Sequence, residues 1–296
     1  MTHPYALVLI FDRKAGPLPP EAVDIARAMV KGARPVILSE GEAVEIPCGK
    51  PGTGAATPAT IRAALTPHRV DALLVKQRGR RKAILIADMD STIVADETLG
   101  QLAALIGCGD AVKRITDATM NGTLDFAAAL TERVALLRGH PAALLEDVWK
   151  TTQINEGART LVKTMRAHNA RTALVSGGFI FFTSRVAEAC GFDEHHGNVL
   201  GIEDGTLTGR LAVPILGPDS KKAHLTRLLA ERGAQLSAAL ATGDGANDLP
   251  MLHHAGFGIA FHGKPKLRAE VPLQVNFTTL RSLLFAQGYR AEDFVE

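Results

Sequence analysis

Ala83-Ile84-Leu85-Ile86-Ala87-Asp88-Met89-Asp90-Ser91-Thr92 runs five apolar residues straight into two carboxylates two positions apart. A short, continuous apolar run suits a strand buried on both faces of a parallel sheet. Asp88 then falls at the carboxyl end of that strand, where open α/β sheets place their ligands. In extended backbone, residues i and i+2 share a face, so Asp88 and Asp90 can point into one site. Two like charges held together call for a cation or a shared proton. Taken alone, the pair reads equally well as a strand followed by an acidic turn, and the rest of the chain has to decide.

At 296 residues the chain can form one large domain or two smaller ones. Its 46% hydrophobic and 22% charged residues are ordinary for a globular protein. A net charge of +2 demands neither nucleic acid nor an acidic membrane as partner, and no basic face or aromatic platform points to nucleic acid. The one basic cluster, Lys76, Arg78, Arg80, Arg81 and Lys82, reads as a solvated linker. Cys48, Cys108 and Cys190 lie far apart and form no CxxC pair, which favours a reducing compartment and a cytoplasmic location. Met1-Thr2-His3-Pro4 opens no basic and apolar leader, so no secretory signal is expected. No apolar stretch approaches the ~18 residues of a membrane span.

Upstream of the central stretch, residues 5–11 read as a strand and Glu21–Val30 as a helix after Pro19-Pro20. Strand-like runs follow at 35–38 and 43–46, then a helix at 58–66 and a strand at 70–75. These make a small α/β domain over residues 1–78, near the lower limit for independent folding. The glycines of Lys50-Pro51-Gly52-Thr53-Gly54 form no phosphate loop, because no Gly-Lys-Ser/Thr follows. Gln77–Lys82 marks the boundary, and residues 79–296 form the second domain.

Downstream, Glu97–Ile106 turns helical, and residues 110–150 are helix-compatible apart from breaks at Gly122, Gly139 and Pro141. A helical block between sheet strands reads as an inserted cap, about 96–155. By pattern alone, Met120 and Phe126 inside it read as core and Arg133 as a surface charge. After the helix Glu156–His168, the strand Thr172–Val175 leads into Ser176-Gly177-Gly178 and a helix starting near Phe179. Backbone amides at such a turn, backed by a helix N-terminus, favour an anion. Asp204-Gly205 between strand-like runs 198–203 and 206–213 is a hairpin signal, read as a structural flap. Asp219-Ser220 reads as a helix cap, which puts Lys221 in a first turn, against the helix dipole; an anionic ligand would resolve that conflict. The strand Ala238–Thr242 ends in Gly243-Asp244-Gly245-Ala246-Asn247-Asp248, with a helix from Leu249. Strands at 256–261 and 272–277 and a helix at 279–287 close the chain.

Three strand ends thus offer two carboxylates, a hydroxyl with backbone amides, and Asp244 with Asp248. Carboxylates from separate strand ends suit Mg²⁺, which takes oxygen ligands. Amides and a lysine suit a phosphate. Together they describe a phosphoryl-transfer site.

Asp88-Met-Asp-Ser-Thr92, Ser176-Gly-Gly178, Lys221 and Gly243-Asp-Gly-Ala-Asn-Asp248 resemble the four ordered motifs of the haloacid dehalogenase superfamily of phosphatases. Within it, residues from about 83 to 290 are similar to the phosphoserine phosphatases, whose motifs the forms DMDST, VSGGF and GDGANDLPML approach. The resemblance implies a Rossmann-like α/β core with a parallel sheet and a helical cap inserted after the first motif. It implies Asp88 as nucleophile and Asp90 as general acid and base, acting on the small molecule O-phospho-L-serine. Mg²⁺ would be held by Asp88, the carbonyl oxygen of Asp90, and Asp244, with Asp248 in support. Ser176, Gly177 and Lys221 would hold the phosphate, with Lys222 as the one-residue alternative to Lys221. Glu97 would meet a substrate ammonium, Arg133 a substrate carboxylate, and Asn247 would add a polar contact. Met120 and Phe126 would close the pocket or serve in packing. Residues 1–78 compare with the ACT-like regulatory domain of several bacterial phosphoserine phosphatases, in degenerate form and without an amino-acid-binding glycine motif. A homodimer contact or a purely structural role is expected of them. Other readings are the same chemistry on another phosphomonoester, transfer to an alcohol such as homoserine, or a binding protein on this fold; the last would have lost a motif residue.

Overall fold

The computed structural model describes residues 3–50, 56–120 and 125–296. Gly52, Gly54 and Gly122 lie outside the described residues, as do the side chains of Asp117 and Met120.

The chain opens as a βαββαβ unit: β1 (Tyr5–Ile10), α1 (Pro20–Val30), β2 (Val36–Ser39), β3 (Ala43–Cys48), α2 (Pro58–Leu65) and β4 (Asp71–Lys76). Its strands lie in the order β2-β3-β1-β4, every pair antiparallel, which is the ferredoxin-like arrangement. Alternation along β1 explains how so small a unit holds together. Leu7 and Leu9 face α1 and α2, meeting Ala22, Ala26, Ile61 and Leu65. Ala6, Val8 and Ile10 face the other way, and with Leu73 and Val75 of β4 they join the main core of the protein. A sheet buried on both faces needs a cover on each, and the second cover here is the rest of the chain.

The basic stretch before the central strand is not the solvated linker its composition suggests. Lys82 is only 6% exposed; its ammonium donates to the carbonyls of Gly79 and Ser237 and sits 3.9 Å from the Phe257 ring centroid. Arg80 pairs with Glu45 of β3, and Arg81 covers the Tyr289 ring. Long basic side chains lay their stems on apolar surface, so a charge run need not be a solvated one.

The larger part continues with β5 (Ile84–Ala87), α3 (Thr98–Leu105), α4 (Gly109–Met120), α5 (Phe126–Ala135), α6 (Leu144–Thr151), α7 (Ala158–Ala167), β6 (Arg171–Phe179), α8 (Ile180–Cys190) and β7 (Glu194–Asn198). It then adds β8 (Leu200–Glu203), β9 (Thr206–Leu211), α9 (Pro218–Glu231), β10 (Ala239–Gly243), α10 (Leu249–His254), β11 (Phe257–Phe261), α11 (Pro265–Glu270), β12 (Leu273–Val275) and α12 (Ser282–Ala286). Six strands form one parallel sheet in the order β12-β11-β10-β5-β6-β7. β5 is buried on both faces, with Leu85 and Ala87 in one core cluster and Ile84 and Ile86 in the other. Strand order reverses at β5, between β10 and β6. A crevice opens outside the carboxyl ends at such a switch point, and it is where this fold receives ligands.

Helices α3–α6 stand between β5 and α7 as the inserted cap. The β8–β9 hairpin turns through Asp204 and Gly205, both at positive φ (48° and 74°) as an Asp-Gly turn requires. It is more than a free flap: Leu207 exchanges backbone hydrogen bonds with Gly139 and His140, tying the hairpin to the cap. The polar strand β7 has no apolar signature and was not legible as a strand. It is an edge strand, held by its ladder and by Arg171 and Arg227 on Glu194. Helix α9 begins at Pro218 with Gly217 as its N-cap, so Asp219 and Ser220 lie in its first turn; Ser220 still caps the helix from there, its hydroxyl accepting the Gly217 amide at 3.1 Å. Among the described residues, no helix is long and apolar enough to cross a membrane.

Candidate active site

Asp88 extends β5, its amide donating to the Thr242 carbonyl of β10 at 3.0 Å. The chain stays extended through Asp90 and then makes a tight turn through Ser91, whose φ is +53°. Both carboxylates open into a cavity of about 500 Å³ that lies between the sheet ends and the cap. Asp90 is fixed at both oxygens: Oδ1 accepts the Thr98 amide at 2.8 Å and Oδ2 the Ser176 hydroxyl at 3.2 Å. Burial, and then the charge of Glu97, push its pKa up to about 7.

Lys221 comes in from α9. It is 2% exposed, and its ammonium lies 2.7 Å from Asp88 Oδ1 and 2.6 Å from Asp248 Oδ1. Burial pulls its pKa down, but Asp248 and Asp88 more than offset that and hold it raised. The lysine that opposed the helix dipole in the sequence is thus matched by two carboxylates. Lys222 is exposed and takes no part. Asp248 reaches the site because Gly243 has no side chain; a Cβ there would meet the Asp248 carboxylate at 2.3 Å.

Asp88, Asp244 and Asp248 offer oxygens within 4.8 Å of one another, all three buried. Burial raises the pKa of each: Asp88 is pushed up to about 7 by burial and then Asp248, against the pull of Lys221, and Asp244 up to about 6 by burial and then Asp88, against the pull of Lys264. Hard oxygen donors whose charge one buried lysine leaves only partly neutralised fit a hard divalent cation. The other group of three donors among the described residues, Glu194, His196 and His224, differs in kind: Arg171 and Arg227 already occupy its carboxylate.

The anion side is built on β6, which runs on through Ser176-Gly177-Gly178 with a break in its register. The Ser176 hydroxyl accepts the Gly178 amide at 2.9 Å. Both glycines are required by close approach. A Cβ on Gly177 would lie 2.9 Å from the Phe126 ring, and one on Gly178 2.7 Å from Asp90 Oδ2. Asn198, 2% exposed, donates to the Gly177 carbonyl at 2.8 Å and accepts the Leu216 amide at 2.8 Å, which ties this loop to the approach of α9.

From the cap, Glu97, Phe126 and Arg133 line the same cavity, and Asn247 lines it from the sheet side. Arg133, read by pattern as a surface charge, is half-buried; burial lowers its pKa against the pull of Glu97 and Asp90. Phe126 both packs against the core and faces the Ser176-Gly177 loop. Met120 ends α4, and its side chain lies outside the described residues.

Sequence reasoning missed Lys264. It follows β11, and its ammonium lies 3.0 Å from Asp244 Oδ2 and 3.0 Å from Glu97 Oε1. A Lys-Pro pair in the short turn after an apolar strand, at Lys264-Pro265 beyond Phe261, was the available signal, because every parallel strand ends on the ligand side. Lys266 and Asp125 also line the cavity and carried no such signal.

Residues 85–253 match the family model of the haloacid dehalogenase-like hydrolases, and the chain belongs to that family. It is 43% identical over 194 residues to a phosphoserine phosphatase of Streptococcus thermophilus, covering 66% of this chain and 90% of the relative. It is 40% identical over 214 residues to the phosphoserine phosphatase of Streptomyces coelicolor, covering 72% of this chain and 52% of that longer relative. A solved haloacid dehalogenase family hydrolase from Salmonella enterica serovar Typhi superposes with a TM-score of 0.83 at 29% identity, covering 95% of this chain and 97% of the other. That match takes in the N-terminal unit as well as the core.

Proposed function

We propose that this enzyme hydrolyses O-phospho-L-serine to L-serine and phosphate, the closing step of serine biosynthesis, through an aspartyl-phosphate on Asp88. One observation carries the reading. A single cavity sets Asp88, backed by the Lys221 ammonium, and the Ser176-Gly177 loop against Glu97 and Arg133 of the cap, so phosphate, ammonium and carboxylate each have a partner of fitting charge. The names of the relatives support the same substrate.

Asp88 attacks phosphorus while the bond from phosphorus to the serine oxygen breaks. Asp90 passes its proton to that oxygen, and with a pKa near 7 it can hold the proton and give it up. The resulting Asp90 carboxylate then takes a proton from water, whose oxygen attacks phosphorus, releasing phosphate and restoring Asp88. Lys221, the Ser176 hydroxyl and the Gly177 amide hold the phosphoryl oxygens throughout. Asp88, Asp244 and the Asp90 carbonyl would hold Mg²⁺, with Asp248 in support through Lys221. When bound, the metal neutralises charge on the transferring group and makes phosphorus the better electrophile for a weak carboxylate nucleophile.

The test is phosphate release from L-phosphoserine, phosphothreonine, phosphohomoserine, phosphoglycolate and a sugar phosphate, with Mg²⁺ and with EDTA. Preference for L-phosphoserine, lost with EDTA and abolished by Asp88→Asn, is the expected result. Metal-dependent release without that preference would overturn the roles of Glu97 and Arg133. Transfer to an added alcohol in place of water would make the enzyme a transferase.

A further inference from the structure

The mechanism above leaves Lys264 without a task, although it lies at the junction of the two halves of the site. Its backbone is fixed by its amide, which donates to the Asp244 carbonyl at 2.8 Å, and by Pro265, which opens α11. Its ammonium is shared between Asp244, on the sheet side, and Glu97, on the cap. Lys264 is the only ion-pair partner of Glu97 among the described residues. Glu97 is 57% exposed, and the Ser91 hydroxyl reaches its carboxylate only at 3.4 Å, so little besides Lys264 holds its rotamer.

We propose that Lys264 is a positioning residue that couples the cation site to the cap: its charge weakens divalent-cation binding at Asp244 and holds Glu97 where a substrate ammonium is received. This deepens the phosphatase reading and rests on it for the part concerning Glu97. The sign of each effect follows from charge. A fixed ammonium against one oxygen of Asp244 repels a second cation on the same carboxylate and competes for its electrons, so removing it tightens cation binding. The same removal frees Glu97 to rotate into solvent, so recognition of an ammonium-bearing substrate weakens. One side chain therefore sets a balance between holding the metal and selecting the substrate.

The experiment titrates Mn²⁺ into the full chain by calorimetry, without substrate, for the wild type, Lys264→Met and Lys264→Arg. With saturating Mg²⁺, KM is then measured for L-phosphoserine and for p-nitrophenyl phosphate, which has no ammonium. Lys264→Met should bind Mn²⁺ about tenfold more tightly. Its KM should rise several-fold for phosphoserine and stay level for p-nitrophenyl phosphate. Lys264→Arg, which keeps the charge, should restore the wild-type Mn²⁺ affinity. Unchanged or weaker Mn²⁺ binding in Lys264→Met, or an equal rise in KM for both esters, would overturn the proposal. A wild type that turns over p-nitrophenyl phosphate but not phosphoserine would overturn the substrate reading instead, and the Mn²⁺ titration would still decide the effect of Lys264 on the cation site. The Lys264 side chain is 43% exposed, so its replacement leaves the core intact.

Discussion

Lys221 is held between Asp88 and Asp248, 2.7 Å from the first and 2.6 Å from the second, with its side chain only 3% exposed. Its charge lets two buried carboxylates stand together at the ends of β5 and β10. Lys221→Met keeps the stem and removes the charge. Turnover should fall by at least ~10³-fold, the scale of losing a preorganised charged donor. Stability should fall by about 3 kcal/mol, because one partner of a buried pair is left uncompensated. Steady-state phosphate release and denaturant unfolding measure the two effects separately; activity within tenfold of wild type would remove Lys221 from the phosphate site.

Arg133 reaches the cavity from α5, on the cap, far along the chain from Asp88. If it receives the substrate carboxylate, its loss should be felt only by substrates that have one. Arg133→Ala should raise KM for phosphoserine by about 10²-fold, the scale of a lost charge-assisted contact. KM for p-nitrophenyl phosphate should change less than threefold, about what a small packing change costs. Equal effects on both esters would assign Arg133 to the architecture of the cap.

What the sequence discloses about this site follows from where the signals come from. Apolar strands that end in acidic or glycine-rich turns announce themselves, so Asp88, Asp90, Ser176, Gly177, Asp244 and Asp248 were legible without coordinates. Lys221 was legible as a conflict with its helix dipole. The cap residues were not legible from pattern: Arg133 and Phe126 sit on ordinary helical spacings, and only the motif resemblance pointed at them. Strand β7 escaped because its residues are polar, and Lys264 because nothing in its neighbourhood converges until the sheet is assembled. The same holds for the docking of the N-terminal unit, whose outward apolar face looks, in sequence, like half of any strand.

That docking has a specific pin. Asp71, the first residue of β4, is 2% exposed, and its carboxylate accepts the amides of Asn276, Phe277 and Thr278 and the Thr278 hydroxyl, all within 3.0 Å. Asp71→Ala leaves four donors facing a void and should cost about 3 kcal/mol. Asp71→Asn, which supplies only one acceptor oxygen, should cost less. Both should preserve KM, since the contact is remote from the cavity. Chemical denaturation checks the order of the three proteins, and a wild-type midpoint in Asp71→Ala would show that Asp71 takes no part in holding the unit.

His224 of α9 stacks on His196 of β7, ring centroids 3.9 Å apart, and its Nδ1 is buried without a hydrogen-bond partner. Burial, and then His196 and Arg227, push its pKa down from 6.5 to about 4. A histidine held neutral in the folded state loses stability to an unfolded chain that takes up the proton first. The contribution of His224 is therefore complete above pH 6.5 and is lost progressively as the pH falls toward 4. Across that window, unfolding midpoints of the wild type should fall more steeply than those of His224→Gln. Parallel curves would show that the folded state accommodates the protonated ring.

Gly177 and Phe126 bring the cap against the Ser176-Gly177-Gly178 loop, and a Cβ at Gly177 would lie 2.9 Å from the ring. No real Cβ survives at that distance, so Gly177→Ala must displace either the loop or the ring. The Ser176 hydroxyl is bound to Asp90, the Gly178 amide to Ser176, and Asn198 holds the Gly177 carbonyl, so the loop is the stiffer partner. The ring should move, carrying the start of α5 and loosening the cap. Gly177→Ala should then lose about 10²-fold in kcat/KM for phosphoserine, the cost of misplacing positioned groups by about 1 Å. Phe126→Leu has a smaller side chain and should be mildly impaired alone. If the steric account is right, the double variant recovers much of the loss, so the two effects are strongly non-additive. Additive losses would mean that the added methyl group acts on the Gly177 amide itself, and that the Phe126 contact does not position the cap.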